Sequence, residues 1–137
     1  MSDRKHIAII GGGAAGFFAA IQSKECHPAD TVTIFEKSGC VLAKVSVSGG
    51  GRCNLTNSFL GINDLKSAYP RGDKLMKRLF NSFDNNDACQ WFEQHGVELT
   101  TQDDQCVFPR SQSSQTVIDC LTRTAAKAGV TVCLRHQ

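Results

Sequence analysis

The sequence predicts an α/β domain in which parallel strands form a sheet and a small β-hairpin lies beside it. Residues 7–10 (Ile-Ala-Ile-Ile) are an unbroken apolar run that ends at glycine, as expected for a strand buried on both faces of a parallel sheet. Residues 14–26 place apolar and polar side chains at helical spacing. Residues 31–35 (Thr-Val-Thr-Ile-Phe) are β-branched and aromatic, so they complete a strand, helix, strand unit of about 30 residues.

Residues 38–56 interrupt this alternation, because they are rich in glycine and serine and show no helical period. We predict a long loop there, and long loops inside compact domains are usually functional or disordered. The later part of the chain returns to regular patterns. Helices are predicted over residues 73–80, from a cap at 84 or 85 to residue 95, and from a cap at 111 or 113 to residue 128; a hairpin over 97–100 and 106–108; and a strand over 130–134 that joins the parallel sheet.

Composition limits the class of protein further. With 137 residues, 41% of them apolar and 20% charged, the chain is predicted to form one domain over residues 1–137. A net charge of +2 gives no reason to expect a nucleic-acid or membrane partner, and glycines interrupt the apolar N-terminal run before it could span a membrane. Seven cysteines without a C-x-x-C pair and four scattered histidines predict no metal site. They favour reduced, mostly buried thiols in a cytoplasmic protein.

The segment Gly-Gly-Gly-Ala-Ala-Gly at residues 11–16 follows the first strand and opens the first helix, which is the context of a dinucleotide-binding G-x-G-x-x-G loop. Gly11 would permit the tight turn, Gly13 the approach of a pyrophosphate, and Gly16 the close packing of helix on strand. Glu36 lies twenty residues after Gly16, at the end of the second strand, where its carboxylate can accept hydrogen bonds from ribose hydroxyls. A 2′-phosphate there would meet like charge, which disfavours an NADP-type ligand.

A second glycine-rich segment, Ser-Gly-Gly-Gly-Arg-Cys-Asn at residues 48–54, is not required by a simple dinucleotide-binding fold. Consecutive glycines expose backbone N–H groups, Arg52 adds a fixed positive charge, and Asn54 adds hydrogen-bond donors and acceptors. We interpret this segment as a further polar contact with the same cofactor. Cys53 is interpreted as structural, because a lone cysteine without a neighbouring partner is seldom reactive.

Several segments carry a family resemblance in combination. They are residues 11–16, 35–37 (Phe-Glu-Lys), 42–44 (Leu-Ala-Lys), 48–57 (Ser-Gly-Gly-Gly-Arg-Cys-Asn-Leu-Thr-Asn), 69–72 (Tyr-Pro-Arg-Gly) and 107–109 (Val-Phe-Pro). Together they resemble the N-terminal part of the YhiN/BaiN-like flavoproteins, described as NAD(P)/FAD-dependent oxidoreductases or aminoacetone-oxidase-family FAD-binding enzymes. The segment at residues 48–57 is the most specific element of the resemblance.

The resemblance implies a Rossmann-like FAD-binding domain of an FAD-dependent oxidoreductase, with NAD(P)H as a possible electron donor and a small-molecule substrate. The members of that family are far longer, so the sequence is expected to be an N-terminal fragment that lacks a substrate domain and a C-terminal return. No catalytic residue is identified. The FAD contacts that it implies are Gly11, Gly13, Ala14, Ala15, Gly16, Glu36, Lys37, Lys44, Ser48, Gly50, Gly51, Arg52, Cys53 and Asn54.

Two other interpretations stay open. A regulatory nucleotide-sensing Rossmann domain without catalysis would also begin with G-x-G-x-x-G. It predicts continued alternation of strands and helices after Glu36, which the composition of residues 38–56 disfavours. An inactive truncated fragment is compatible with the flavoprotein interpretation of the parent protein.

Overall fold

The computed structural model describes residues 4–137, which form two compact units. The first unit contains the residues through Cys53 together with Ser113–Gln137, and the second contains Asn54–Gln112. The elements are β1 (His6–Ile10), α1 (Ala14–Cys26), β2 (Thr31–Phe35), α2 (Ala43–Gly51), β3 (Thr56–Asn57), α3 (Leu65–Ala68), α4 (Asp73–Phe80), α5 (Asn85–Gln94), β4 (Leu99–Thr101), β5 (Cys106–Pro109), α6 (Ser114–Ala128) and β6 (Thr131–Cys133).

The first unit is built on a parallel sheet with the strand order β1-β2-β6, which confirms the predicted sheet. The register places Ile7 opposite Val32 and Ile34 opposite Val132. Val32 and Ile34 are completely buried because β2 is the central strand. Strand β1 lies at the edge of this sheet and its residues alternate between exposed and half-buried, so the expectation that residues 7–10 are buried on both faces is wrong. This arrangement brings the carboxyl ends of β1 and β2 to the same edge of the sheet, where the G-x-G-x-x-G loop and Glu36 follow them.

Helices α1 and α6 pack against each other and supply much of the core of this unit. Both helices were predicted, and the predicted ends of α6 are confirmed by its caps. The Ser113 side chain accepts a hydrogen bond from the backbone N–H of Gln115, and Gly129 ends the helix with a φ of 81°. The buried side chains of the two helices are Phe17, Ala20 and Ile21 from α1 and Val117, Cys120, Leu121 and Ala125 from α6.

The prediction that residues 38–56 lack a helix is wrong, because α2 lies within them. The backbone N–H of Leu42, at the start of α2, donates a 2.8 Å hydrogen bond to the carbonyl oxygen of Gly12. Farther along, the Ser114 hydroxyl of α6 donates to the Ser46 carbonyl at 3.0 Å. Helical geometry is lost over residues 48–50, where the glycines begin. Hydrogen bonds with residues far away in the sequence therefore stabilise α2, which the composition of residues 38–56 did not indicate.

The second unit contains an antiparallel sheet with the strand order β3-β5-β4. Strands β4 and β5 form the predicted hairpin, and β3 adds a two-residue edge that the sequence did not reveal. Helix α5 begins with a capping box in which Asp84 and Asp87 each accept a backbone N–H. Phe80 of α4 packs edge-on against Phe59, with ring centroids 5.6 Å apart, and so ties that helix to the unit.

Most of the cysteine side chains are at least partly exposed. Only Cys53 and Cys120 of the seven cysteines are buried, so the expectation that most of the thiols are buried is wrong. Among residues 4–137, no helix is long and apolar enough to cross a membrane.

Candidate functional site

The loop between β1 and α1 has the geometry that its glycines predicted. Gly11 has a φ of 101°, a conformation that strains residues with a Cβ, and its N–H donates to the Phe35 carbonyl at 2.8 Å. A Cβ on Gly16 would overlap the carbonyl oxygen of Gly11, so the helix can approach the loop only with glycine at that position. A Cβ on Gly13 would meet no atom within 4 Å. The turn and the close packing are confirmed, and the space beside Gly13 is open.

The N-terminus of α1 is available to an anion. Its N-cap residue, Gly13, offers no side-chain hydrogen bond, and the first turn contains no acidic residue. Gly13, Ala14 and Ala15 are all exposed. Because the first backbone N–H groups of a helix have no partner within the helix and lie at the positive end of its dipole, this terminus suits a phosphate.

Glu36 is held in place by two backbone donors. Its Oε2 accepts a 2.7 Å hydrogen bond from the N–H of Gly12, and its Oε1 accepts one of 2.8 Å from the N–H of Ser38. These bonds, the one from Ser38 first, lower the pKa of the Glu36 carboxyl, so the side chain is ionised at neutral pH. An ionised carboxylate offers about four acceptor positions, so Glu36 retains capacity for a further donor beyond Gly12 and Ser38.

We predict that Glu36 stabilises the fold above its ordinary pKa of about 4.5 and that this contribution is lost in acid. Because the pKa is lower in the folded state, the unfolded state binds the proton first as the pH falls, and folding loses its advantage. Glutamine at this position resembles the protonated acid. The melting temperature of Glu36→Gln should therefore lie below that of the wild type at neutral pH, with the gap narrowing below about pH 4.5. A gap that stays constant down to about pH 3.5 would contradict this.

Two cavities flank Glu36 in the first unit. The larger, which we call the α1–α2 groove, measures about 590 Å³, and the smaller, the sheet-edge cavity, about 440 Å³. Glu36 and Lys37 line both cavities. The α1–α2 groove is otherwise lined by Gly12, Gly13, Ala14, Ala15, Ser38, Cys40, Leu42, Ala43, Lys44 and Val45. The sheet-edge cavity is otherwise lined by Ile10, Gly11, Phe35, His136 and Gln137.

The structure thus brings together only part of the predicted set. Glu36, Lys37 and Lys44 share the α1–α2 groove with the predicted loop residues Gly13, Ala14 and Ala15. Gly11 lines the sheet-edge cavity, whereas Gly16 lies in the packing behind the loop. The predicted residues of the second glycine-rich segment line neither cavity; they are Ser48, Gly50, Gly51, Arg52, Cys53 and Asn54.

Sequence reasoning missed two groups that shape the site. The backbone N–H groups of Gly12 and Ser38 hold Glu36, and Gly12 is tightly enclosed, since a Cβ there would lie 2.8 Å from Val41. The extra glycine between Gly11 and Gly13 was the available signal. Ile10 and His136 of the sheet-edge cavity carried no signal, because both lie outside the motifs.

The second glycine-rich segment is a run of left-handed backbone. Gly49, Gly50 and Gly51 have φ angles of 57°, 69° and 85°, which explains why three glycines are needed. The Nε of Arg52 donates to the Gly49 carbonyl at 3.0 Å and closes the turn. A Cβ on Gly50 would meet nothing within 4 Å, so one side of this backbone is open.

Cys53 and Asn54, which end this segment, have separate surroundings. Cys53 is 5% exposed, and burial raises the pKa of its thiol, although a hydrogen bond with the Ser48 side chain opposes the shift. A raised pKa disfavours the reactive thiolate, in agreement with a structural role. Asn54 belongs to the second unit, where its side-chain amide donates to the sulfur of Cys106 at 3.4 Å.

The parallel sheet, the glycine loop and the acid after β2 define a Rossmann-like domain. The family model of the HI0933-like protein Rossmann domain matches residues 5–137, and the chain belongs to that family. The resemblance to the YhiN/BaiN-like flavoproteins is thereby confirmed.

Most of this chain aligns, at low sequence identity, with two named proteins. The chain is 29% identical over 115 residues to the 3-dehydro-bile acid delta(4,6)-reductase of Clostridium scindens, covering 84% of this chain and 27% of the relative. It is 28% identical over 140 residues to the ribosomal RNA dihydrouridine synthase of Escherichia coli, covering 98% of this chain and 32% of that protein. The chain therefore spans about a third or less of the length of these relatives.

Solved structures of two longer chains share the fold. THI4 of Thermovibrio ammonificans superposes with a TM-score of 0.59 at 15% identity, over 95% of this chain and 38% of that one. A flavocytochrome c3 fumarate reductase in its open conformation gives a TM-score of 0.64 at 22% identity, over 97% of this chain and 27% of that one. At these identities the likeness is one of fold.

Proposed function

We propose that residues 1–137 act as one FAD-binding Rossmann-like domain of a flavin-dependent oxidoreductase. The observation that carries this proposal is the α1–α2 groove, where an ionised acid and an uncapped helix N-terminus line the same space. An acid and a helix terminus in this arrangement suit the two parts of an adenosine diphosphate, its ribose and its phosphates.

Each part of the cofactor has a proposed position. The pyrophosphate lies beside Gly13 and accepts hydrogen bonds from the first N–H groups of α1, with Lys44 adding positive charge. The ribose hydroxyls donate to the acceptor positions of Glu36 that Gly12 and Ser38 leave unused. The adenine lies in the sheet-edge cavity, where Ile10 is 83% exposed and the rings of Phe35 and His136 offer an apolar wall.

The second glycine-rich segment is proposed to contact the cofactor beyond its pyrophosphate. The glycines carry no side chains that would cover their backbone N–H groups, and the open side of Gly50 permits a close approach. Arg52 places a positive charge beside these amides, which would favour the electron-rich atoms of a reduced flavin. Ser48, Gly51, Cys53 and Asn54 complete the set of proposed contacts.

Bound FAD would supply two-electron chemistry at a flavin ring, with a reduced nicotinamide as the electron source. The named relatives are a reductase and a dihydrouridine synthase, and both names denote the addition of hydrogen to an unsaturated substrate. We infer the same reaction class for the protein to which this domain belongs. Two hydrogens are added across a carbon–carbon double bond, one delivered as hydride and one as a proton, while the nicotinamide is oxidised.

The two relatives differ in the molecule that carries the double bond. A small-molecule substrate without nucleic acid, as expected from the sequence, corresponds to the bile-acid enzyme, and an RNA substrate corresponds to the dihydrouridine synthase. We favour RNA for this chain, because its positive charge is concentrated in one segment of the second unit.

The nucleotide-sensing interpretation is less well supported. It requires strands and helices to alternate after Glu36, whereas α2 ends in the left-handed glycines and the chain continues into an antiparallel sheet. An inactive fragment stays compatible with the proposed cofactor site, because binding and turnover are separate properties.

The test is the visible absorption and fluorescence of the purified chain titrated with FAD, with NAD⁺ and NADP⁺ as competitors. We expect saturable FAD binding that Glu36→Gln weakens about tenfold or more, since the variant loses charge-assisted hydrogen bonds to the ribose. Tighter binding of NAD⁺ than of FAD would support nucleotide sensing instead. Absence of any dinucleotide binding by the folded wild-type chain would refute the proposal for this domain.

A further inference from the structure

Basic residues cluster in one part of the second unit. Five of the fifteen Lys and Arg of the chain fall within residues 66–78, whereas residues 64–80 contain only two acids, Asp64 and Asp73. A net charge of +2 for the whole chain conceals this concentration. All five cations are exposed, and we call them the basic face: Lys66, Arg71, Lys74, Lys77 and Arg78.

Helix α4 presents three of these cations together. At 100° per residue, Lys74, Lys77 and Arg78 fall within an arc of about 100° on the helix. Phe80, about 110° round the helix from the centre of that arc, packs against Phe59 and the ring of Tyr69, with centroid distances of 5.6 and 6.3 Å. The helix is therefore anchored to its unit with the cations turned outward.

Little within the described chain neutralises the basic face. Lys77 forms an exposed salt bridge with Asp64, 3.3 Å between Nζ and Oδ1, and it is the only one of the five with a salt bridge among residues 4–137. Exposed pairs of this kind contribute little to stability and exchange readily. A row of fixed cations over a short surface stretch is complementary to a polyanion with regularly spaced charges.

We propose that the basic face is the surface through which this domain contacts the phosphates of RNA. The inference rests on the proposed function, in which the double bond to be reduced belongs to an RNA base. Contacts to phosphates position a nucleic acid without reading its sequence, so this surface would hold the strand while other parts of the protein select the base. Lys66 and Arg71 extend the contact along the chain that leads into α4.

A membrane is the competing partner for a basic amphipathic helix, and Leu75 and Leu79 are 57% and 51% exposed beside the cations. Two features disfavour it. Helix α4 has eight residues, which is a length of about 12 Å. Its other apolar residues, Met76 and Phe80, are half-buried in their own unit and would have to leave it to enter a bilayer.

The test is fluorescence anisotropy of a labelled RNA hairpin with unpaired uridines, measured with the 137-residue chain over a range of KCl concentrations. The variant is Lys74→Gln/Lys77→Gln/Arg78→Gln, which keeps good helix-forming residues in α4. The control, Lys5→Gln/Arg110→Gln/Lys127→Gln, removes the same charge from exposed positions elsewhere. We expect the slope of log affinity against log salt to fall by about two in the variant, and the affinity to fall about tenfold or more, with little change in the control.

An equal loss in both triple variants would overturn the proposal, because it would show attraction to overall charge alone. So would RNA binding too weak to measure at low salt, or cosedimentation with phosphatidylserine vesicles that the α4 variant abolishes while RNA binding is unchanged. The FAD titration distinguishes this failure from failure of the cofactor site. A chain that binds FAD but not RNA retains the proposed cofactor site and loses both the basic face and the preference for an RNA substrate.

Discussion

Replacement of Gly13 by glutamate is expected to abolish FAD binding while the fold stays intact. Gly13 has a φ of −86°, which any residue can adopt, and a Cβ there would meet no atom within 4 Å. The new carboxylate would project into the space proposed for the pyrophosphate. Like charges brought together in a binding site cost several kcal/mol, which corresponds to a loss of affinity of about 100-fold or more.

The measurement is an FAD titration by absorbance and fluorescence, with circular dichroism as a check on folding. Gln115→Glu is a matched control, because it adds the same charge to the exposed first turn of α6 in the same unit. We expect the control to bind FAD like the wild type. If Gly13→Glu binds FAD within about threefold of the wild type, the pyrophosphate does not lie beside α1 and the assignment of the groove is wrong.

The parts of the fold that could be predicted are those in which local pattern and tertiary environment agree. Residues 32–34 are buried because they lie in the central strand of the parallel sheet, and α6 has a polar cap, an apolar stripe and a terminal glycine. In each of these elements the apolar side chains recur with the period of the strand or helix, so the sequence pattern indicates which residues are buried. The strand, helix, strand unit and the last strand predicted the members of the parallel sheet, and the structure places β6 beside β2.

Helix α2 could not be predicted, because what holds it lies far away in sequence. Its first residues depend on the carbonyl of Gly12, and its middle accepts a hydrogen bond from Ser114, 68 residues beyond Ser46. Its own sequence, Ala-Lys-Val-Ser-Val-Ser-Gly-Gly-Gly, has β-branched residues, serine and glycine, all of which weaken helical propensity. Tertiary contacts override that propensity for slightly more than one turn, until the left-handed glycines end the helix.

The candidate site could be predicted in its residues but only partly in its geometry. The motif assigned Glu36 to a ligand, whereas the structure gives two of its hydrogen bonds to Gly12 and Ser38. A motif lists side chains, and the donors here are backbone N–H groups, whose partners a motif does not specify. The basic face could not be predicted for a different reason, since a sum over the chain cancels the cations of residues 66–78 against acids elsewhere in the sequence, most of them in the same unit.

Replacement of Gly16 by alanine is expected to destabilise the first unit, whereas the same replacement at Gly13 should leave its stability unchanged. A Cβ on Gly16 would overlap the carbonyl oxygen of Gly11, and a backbone atom cannot rotate away as a side chain can. Alanine gains about 1 kcal/mol over glycine in helical propensity, whereas overpacking against a fixed group costs about 1–3 kcal/mol or more. Because the overlapping atom is fixed, we expect a net loss of about 2 kcal/mol.

Thermal unfolding of Gly16→Ala and Gly13→Ala distinguishes the steric effect from the general effect of removing a glycine. A loss of about 2 kcal/mol should lower the melting temperature of the first variant by roughly 5–10 °C, with the second close to the wild type. Equal melting temperatures would mean that α1 can move off the loop without cost. The close packing of helix on strand would then not be what requires glycine at this position, and the spacing of the motif would have to be explained by the ligand alone.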